Sequence, residues 1–278
     1  MSALCRMAGM SKQNFYRTRQ RRSRRGIEEE FILELVREER RMQPFLGARK
    51  LLVRLAPSLE EAGVAVGRNR FFELLRQHAL LVPRRRGSAR TTDSRHRFRV
   101  YINTLKDSPP TAPHEAWVAD LTYIRTADRF VYLALVTDAF SRKIVGWHVD
   151  ASLEAAGCVL ALQMALQQLP PGARPIHHSD RGTQYCCHDY MDILLSESQP
   201  LRISMTEENH CYENGKAERV NGILKQEYGL GGTLRNLGEA KRMVAEAVML
   251  YNTRRPHMAL AYATPAEVHE RKSGKQAA

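Results

Sequence analysis

Asp120, Asp180 and Glu218 are far apart along the chain, and each stands where a carboxylate needs a reason to be. Asp120 lies inside the run Trp117 to Ile124, WVADLTYI. Read as a strand, that run puts Val118, Asp120, Thr122 and Ile124 on one face and Trp117, Ala119, Leu121 and Tyr123 on the other. An ionised carboxylate in such apolar company needs a cation, a set of hydrogen bonds or a metal. The plainer alternative is a strand Asp bonded to nearby backbone amides. Asp180 closes a second short strand, Pro175 to Ser179, and Arg181-Gly182 behind it lets the chain turn sharply. Glu218 falls in a helical stretch. Lys225 follows it by about two turns on the same face, and Asn214 precedes it by about one.

Acids from two strands and a helix can converge on one edge of a sheet. An all-oxygen set of that kind selects a hard cation, Mg²⁺ with Mn²⁺ as substitute. Without metal, three like charges repel and part of the set holds a proton. Two ions per site, about 4 Å apart, can activate an attacking oxygen and stabilise a leaving one at phosphorus. That is phosphodiester chemistry, and it needs no covalent protein intermediate. Lys225 is expected to hold a DNA end beside the metals, with Asn214 bonding substrate or a loop. A surface lysine paired with an acid is the ordinary alternative.

The elements that must position these residues follow from periodicity. Trp117–Ile124, Phe130–Thr137 and Lys143–Val149 alternate with period two across short turns, which predicts an antiparallel meander. A helix is expected from Ser152 to about Gln168, stopped by Pro170-Pro171-Gly172. Then come the Asp180 strand, a helix from about His188 to Ser196, a strand at Leu201–Ser204, a polar loop from Met205 to Tyr212 and a helix from Glu213 to about Tyr228. This βββαβαβα order predicts an α/β fold, one mixed sheet of meander plus parallel strands flanked by helices. A last helix, Gly238 to Tyr251, leads into Tyr251-Asn-Thr-Arg-Arg-Pro-His257, and Thr264 to Glu267 reads as a capping box.

The front of the chain is all-α. Leu4–Met10 and a helix capped by Ser11 and running to Arg19 outline a helix-turn-helix-like segment over 1–25, with Lys12 and Arg17 placed to reach DNA. Arg21 to Arg25 is read as either a phosphate-contacting or a disordered stretch. Residues 26–82 form the stronger helix-turn-helix domain, with helices at Ile27–Met42, Gly47–Leu55 and Val66–His78. Phe71, Leu74 and Leu75 make the apolar stripe of the third, and Arg68, Asn69 and Arg70 are expected to face DNA. Residues 83–113 form a basic linker whose segment Arg97–Leu105 either becomes a strand or packs along the next domain. The catalytic core with a helical extension is expected over 114–278.

Charge separates the two halves. The formal net charge is +13, yet residues 1–99 carry 24 Lys+Arg against 10 Asp+Glu, while the remainder carries 19 against 20. A basic module joined to a near-neutral one suggests that the front holds nucleic acid. No apolar run approaches the ~20 residues of a membrane span, and the basic start lacks a signal-peptide core. Five cysteines without a C-x-x-C pair argue against a disulfide framework and fit a reducing cytosol. His177-His178 and Cys186-Cys187-His188 match no usual zinc spacing.

Several blocks carry a family resemblance. Trp117 to Tyr123, His178-Ser-Asp-Arg-Gly-Thr-Gln-Tyr185, and Cys211 to Arg219 with Lys225 resemble the catalytic blocks of retroviral-integrase-like transposases. The match is to the second-frame (OrfB) protein of the bacterial IS-three insertion sequences. Tyr251 to His257 with Thr264-Pro265 is similar to that family's C-terminal signature, and Leu46 to Lys50 with Arg68 to Leu81 to its helix-turn-helix segment. The resemblance implies an RNase H-like fold, Asp120, Asp180 and Glu218 as the acidic triad, and Mg²⁺ chemistry. It implies cleavage at element ends and transfer of a 3′-OH into target DNA. Its expected partners are terminal inverted repeats, target DNA, further copies of this chain and a first-frame (OrfA) protein. Thirty-seven residues separate Asp180 from Glu218, a couple more than the family's habit, with the excess expected around Ser196–Pro200. A non-catalytic regulator of transposition and a nuclease for RNA–DNA hybrids are the competing readings.

Overall fold

The computed structural model describes residues 2–7, 9–83, 99–106, 109–196, 200–207 and 214–273. The chain divides into two compact units, Met1–Pro83 and Arg84–Ala278.

The first unit is helical: α1 Ser2–Met7, α2 Lys12–Met42, α3 Ala48–Glu61 and α4 Arg68–Gln77. The disordered alternative for Arg21–Arg25 is corrected: these residues are part of one 31-residue helix. Residue-by-residue pairing explains the continuity: Arg24 and Arg25 bond Glu28 and Glu29 one turn on, at 3.1 and 2.8 Å, which supports a helix across Gly26. Ser11 caps α2 as expected, accepting from Asn14 N at 3.1 Å. Ile32, Leu33 and Val36 of α2 pack with Leu51, Leu55 and Leu59 of α3 and Phe71, Leu74 and Leu75 of α4 in one buried cluster.

The second unit is built on a six-stranded mixed sheet in the order β3-β2-β1-β4-β5, with β6 beside β1. The strands are β1 Ala116–Thr126, β2 Phe130–Asp138, β3 Ile144–Asp150, β4 Ile176–Ser179, β5 Arg202–Met205 and β6 Thr233–Leu234. β1, β2 and β3 form the antiparallel meander, and β4 and β5 add in parallel to β1. This is the RNase H-like arrangement that the resemblance implied. The helices are α5 Ala155–Leu166, α6 Thr183–Cys186, α7 His188–Leu194, α8 Gly215–Glu227, α9 Leu237–Thr253 and α10 Pro265–Ser273, with a 3₁₀ turn at Met258–Leu260. The two-residue β6 and the one-turn α6 are too short for periodicity to announce.

Alternation along β1 sends its residues to two different layers. Trp117 and Ala119 join Ala161, Leu162, Tyr190 and Leu194 of α5 and α7 in the main core. Ala116 and Val118 face Ala217 of α8. Residues 99–105 form no strand; Thr104 N instead donates to Ser204 Oγ at 3.0 Å, so the segment packs along β5.

Gly146 sets how closely α5 lies on the sheet. A Cβ there would sit 2.0 Å from the Ala161 carbonyl oxygen and 3.0 Å from Ala165 Cβ. Backbone cannot yield as a side chain can, so Gly146→Ala should destabilise the unit by about 1–3 kcal/mol. A denaturant midpoint unchanged from wild type would show that α5 is free to move away.

Candidate active site

β1 and β4 run parallel, and the last pair in their ladder is Val118 with His178. Two residues further along each chain come Asp120 and Asp180. Parallel neighbours lie about 4.8 Å apart, and Asp180, just beyond the end of β4, is near enough for its charge to act on Asp120. Burial pushes the Asp120 carboxyl up to about 7; the Asp180 charge is the next cause and the Glu218 charge adds to it. Two bonds oppose the rise: Asn221 Nδ2 donates to Asp120 Oδ2 at 2.7 Å and Leu121 N donates to Oδ1 at 3.0 Å. Asp180 Oδ1 accepts from Gly182 N at 3.0 Å, which closes the turn expected after β4.

Helix α8 supplies the other side of the site. Its N-cap residue Asn214 is only 2% exposed, and its Nδ2 donates to the Ala119 carbonyl at 3.0 Å. The expected substrate contact is therefore spent, in this structure, on joining the helix start to β1. Glu218 is exposed in the first turn, where the helix dipole favours an acid. Lys225 Nζ donates to Thr122 Oγ1 at 2.6 Å and sits 4.4 Å from the Tyr123 ring centroid. Burial lowers its proton affinity and Asp120 opposes that.

Three residues make bracing contacts that the sequence does not announce, although two of them, Asn252 and Arg255, lie in the C-terminal signature. Asn221 binds Asp120, as above; no spacing rule distinguishes it from a surface asparagine. Arg255, 2% exposed, grips the side chain of Glu227 at the end of α8 with bonds of 2.7 and 2.9 Å. Asn252 bonds both the N–H and the C=O of Ile144, each at 2.9 Å, and so extends the β3 edge. The C-terminal signature thus holds α8 and α9 against the sheet. Asp138, fully buried at the end of β2, looks like a fourth candidate acid. Its oxygens accept from His114 N, Phe140 N, Ser141 N and Ser141 Oγ at 2.7–3.2 Å, which makes it a turn anchor.

The residues present fit a divalent cation by their chemistry. Asp120 and Asp180 are oxygen donors whose mutual repulsion a cation would relieve. Asn221 Oδ1 beside them is buried with no hydrogen-bond partner among the described residues. The set is open: among the described residues no three His, Cys, Asp or Glu lie at metal-binding spacing. His177 pairs with Tyr190 at 2.8 Å and His178 with Ser204 at 2.9 Å, while burial lifts the Cys158 thiol to about 12.

In the first unit Lys12, Arg17, Arg68 and Asn69 are exposed. Arg70 is not turned outward: it lies 3.7 and 3.6 Å from Glu28 and Glu29 of α2. Arg40 is structural too, donating to the carbonyls of Pro44, Leu46 and Leu80. No helix among the described residues is long and apolar enough to cross a membrane.

The integrase core domain family matches residues 110–207, which hold Asp120 and Asp180, and a second integrase core domain family matches 199–265, which hold Glu218 and Lys225. The transposase InsF of insertion sequence IS3A from Escherichia coli is 31% identical over 82% of this chain and 78% of its own. The chain belongs to the IS3 family of insertion-sequence transposases. Within that family the uncharacterized 31 kDa protein of insertion element IS600 from Shigella sonnei is 34% identical over 96% of this chain and 98% of its own. The transposase of IS629 from the same organism is 32% identical over 75% and 69%. A solved HTLV-2 integrase catalytic core covers 58% of this IS3-family chain and 99% of its own at 18% identity, with a TM-score of 0.46.

The raised Asp120 carboxyl gives this IS3-family core a pH signature. An unfolded aspartate loses its proton near pH 4, whereas folded Asp120 keeps it to about 7. The folded state therefore binds more protons between those values, and metal-free stability should fall as pH rises from about 4 to about 7. Asp120→Asn should flatten that slope and, at neutral pH in EDTA, melt a few degrees above wild type. Thermal scans across pH that superimpose for the two proteins would refute the site's electrostatics.

Proposed function

We propose that this transposase cleaves the ends of its element and joins the resulting 3′-OH to target DNA, with Asp120, Asp180 and Glu218 as its acidic triad. The observation that carries the reading is that Asp180, one residue beyond β4, and Glu218 on α8 both act electrostatically on Asp120 of the neighbouring strand β1. These carboxylates would hold Mg²⁺ or Mn²⁺, two ions per site, which supply charge to stabilise attacking and leaving oxygens at phosphorus. Asn221 fixes the rotamer of Asp120. Lys225, held over Tyr123 by Thr122, is positioned to pair with a phosphate of the donor strand. Arg255 keeps α8 in register through Glu227.

The basic first unit supports binding to terminal inverted repeats, with Lys12, Arg17, Arg68 and Asn69 as contacts and Arg70 in a supporting role; Asn214, in the second unit, would act on DNA only indirectly, by holding the start of α8 to β1. Pairing two element ends calls for more than one copy of the chain, and a first-frame (OrfA) protein is the expected companion.

Asp120→Ala and Glu218→Ala should each reduce Mg²⁺-dependent joining of terminal-repeat DNA by about 10³-fold or more. Repeat binding in EDTA should stay within a few-fold of wild type. Joining at the wild-type rate in either variant would overturn the triad. A wild-type chain that binds repeats but never joins them, with or without a first-frame protein, would favour the regulator reading.

A further inference from the structure

A cavity of about 650 Å³ opens beside α8 on a flank the proposed chemistry does not use. At 100° per residue, Lys216, Arg219 and Val220 fall on the side of the helix turned away from Asn221 and Lys225. Lys106, from the segment before β1, and Arg142, from the β2–β3 turn, complete a ring of four cations around it. Among the described residues no carboxylate lines the cavity.

These cations are held together at a cost. Arg142 Nη1 is buried with no hydrogen-bond partner among the described residues. Arg142 also adopts a left-handed backbone, φ 66°, unusual for a residue with a Cβ. Burial lowers the proton affinity of both Arg142 and Lys216, and the Arg142 charge lowers that of Lys216 further. Asp138 is the nearby acid that offsets this, but its oxygens already serve the turn at His114, Phe140 and Ser141. Crowded, partly dehydrated cations with spare donors are completed by an anion, and a guanidinium fork suits a phosphate. The cavity exceeds what one phosphate fills, and Val220 and the half-exposed Met258 give it an apolar wall. A nucleoside fits that wall as a phosphate fits the cations.

We propose that this cavity seats one nucleotide of a DNA strand, its phosphate against Arg142, Lys216 and Arg219 and its base against Val220 and Met258. The strand would thus be held on both flanks of α8. The inference rests on the DNA-acting reading of the chain, not on its catalysis.

The test is photo-crosslinking of the full chain to a single strand carrying 5-iododeoxyuridine, in EDTA, with peptides mapped by mass spectrometry. Wild type should crosslink within residues 257–259, and Lys216→Glu with Arg219→Glu should reduce that yield by roughly tenfold while crosslinks to residues 1–83 persist. If that double variant fails to fold, Lys216→Gln with Arg219→Gln carries the same expectation. No crosslink at 257–259, or one unchanged by the substitutions, overturns the proposal. Inorganic phosphate that raises the melting temperature of wild type but not of the variant, without any strand crosslink there, assigns the cavity to a free anion and also overturns it. A chain that crosslinks as expected yet joins no DNA supports the pocket and removes the catalytic reading instead.

Discussion

Four residues of α-helix rise about 6.0 Å and two residues of β-strand about 6.6 Å. A helix laid along a strand can therefore match every fourth residue to every second one over a few contacts. α8 and β1 do this: Ala217 packs in the cluster of Val118, Asn221 bonds Asp120, and Lys225 bonds Thr122. Asn214 anchors the start of the run on the Ala119 carbonyl. A shift of α8 by one residue would rotate its side chains by 100° and break all of these contacts together. The site's geometry is thus a register problem, and much of the unit serves to hold that register.

The charges at the site have a structural consequence. Asp120 and Asp180 come together because β1 and β4 are parallel neighbours, and the strands gain their backbone hydrogen bonds whatever the acids contribute. Burial first, and then the Asp180 charge, raise the Asp120 carboxyl to about 7. Asp138 shows the contrasting solution. It is more deeply buried, yet three backbone N–H groups and a hydroxyl satisfy it. Asp120 accepts from one amide side chain and one backbone N–H. A buried acid with few donors and like-charged neighbours is the one left wanting a cation.

The meander was legible because WVADLTYI and the apolar run FVYLALVT are strand-length and rich in β-branched and aromatic residues, and the short turns between strands favour antiparallel pairing. The acids were legible because each interrupts or ends an apolar strand or lies at a helix start. Other features depend on contacts that sequence distance hides. The Arg255–Glu227 grip spans 28 residues, and Asn252 imitates a strand edge from within a helix. Asn214 lies on the helix face of Glu218 as expected, but burial turned it to the sheet. Arg70, taken for an outward cation, meets Glu28 and Glu29 of α2, a contact between helices that sequence distance hides. The excess length expected near Ser196–Pro200 falls partly outside the described residues, as does most of the Met205–Tyr212 loop.

We propose that acids borne by β1 and α8 and just beyond β4 hold a divalent cation, and that Asp120 gives up a proton to accept it. Calorimetric titration of Mn²⁺ into the full chain at pH 7, repeated in buffers of different ionisation enthalpy, measures both binding and proton release. With Asp120 at about 7, binding should release about half a proton per chain. The release should vanish in Asp120→Asn. Saturable Mn²⁺ binding with no buffer dependence, or proton release that persists in that variant, would contradict the account.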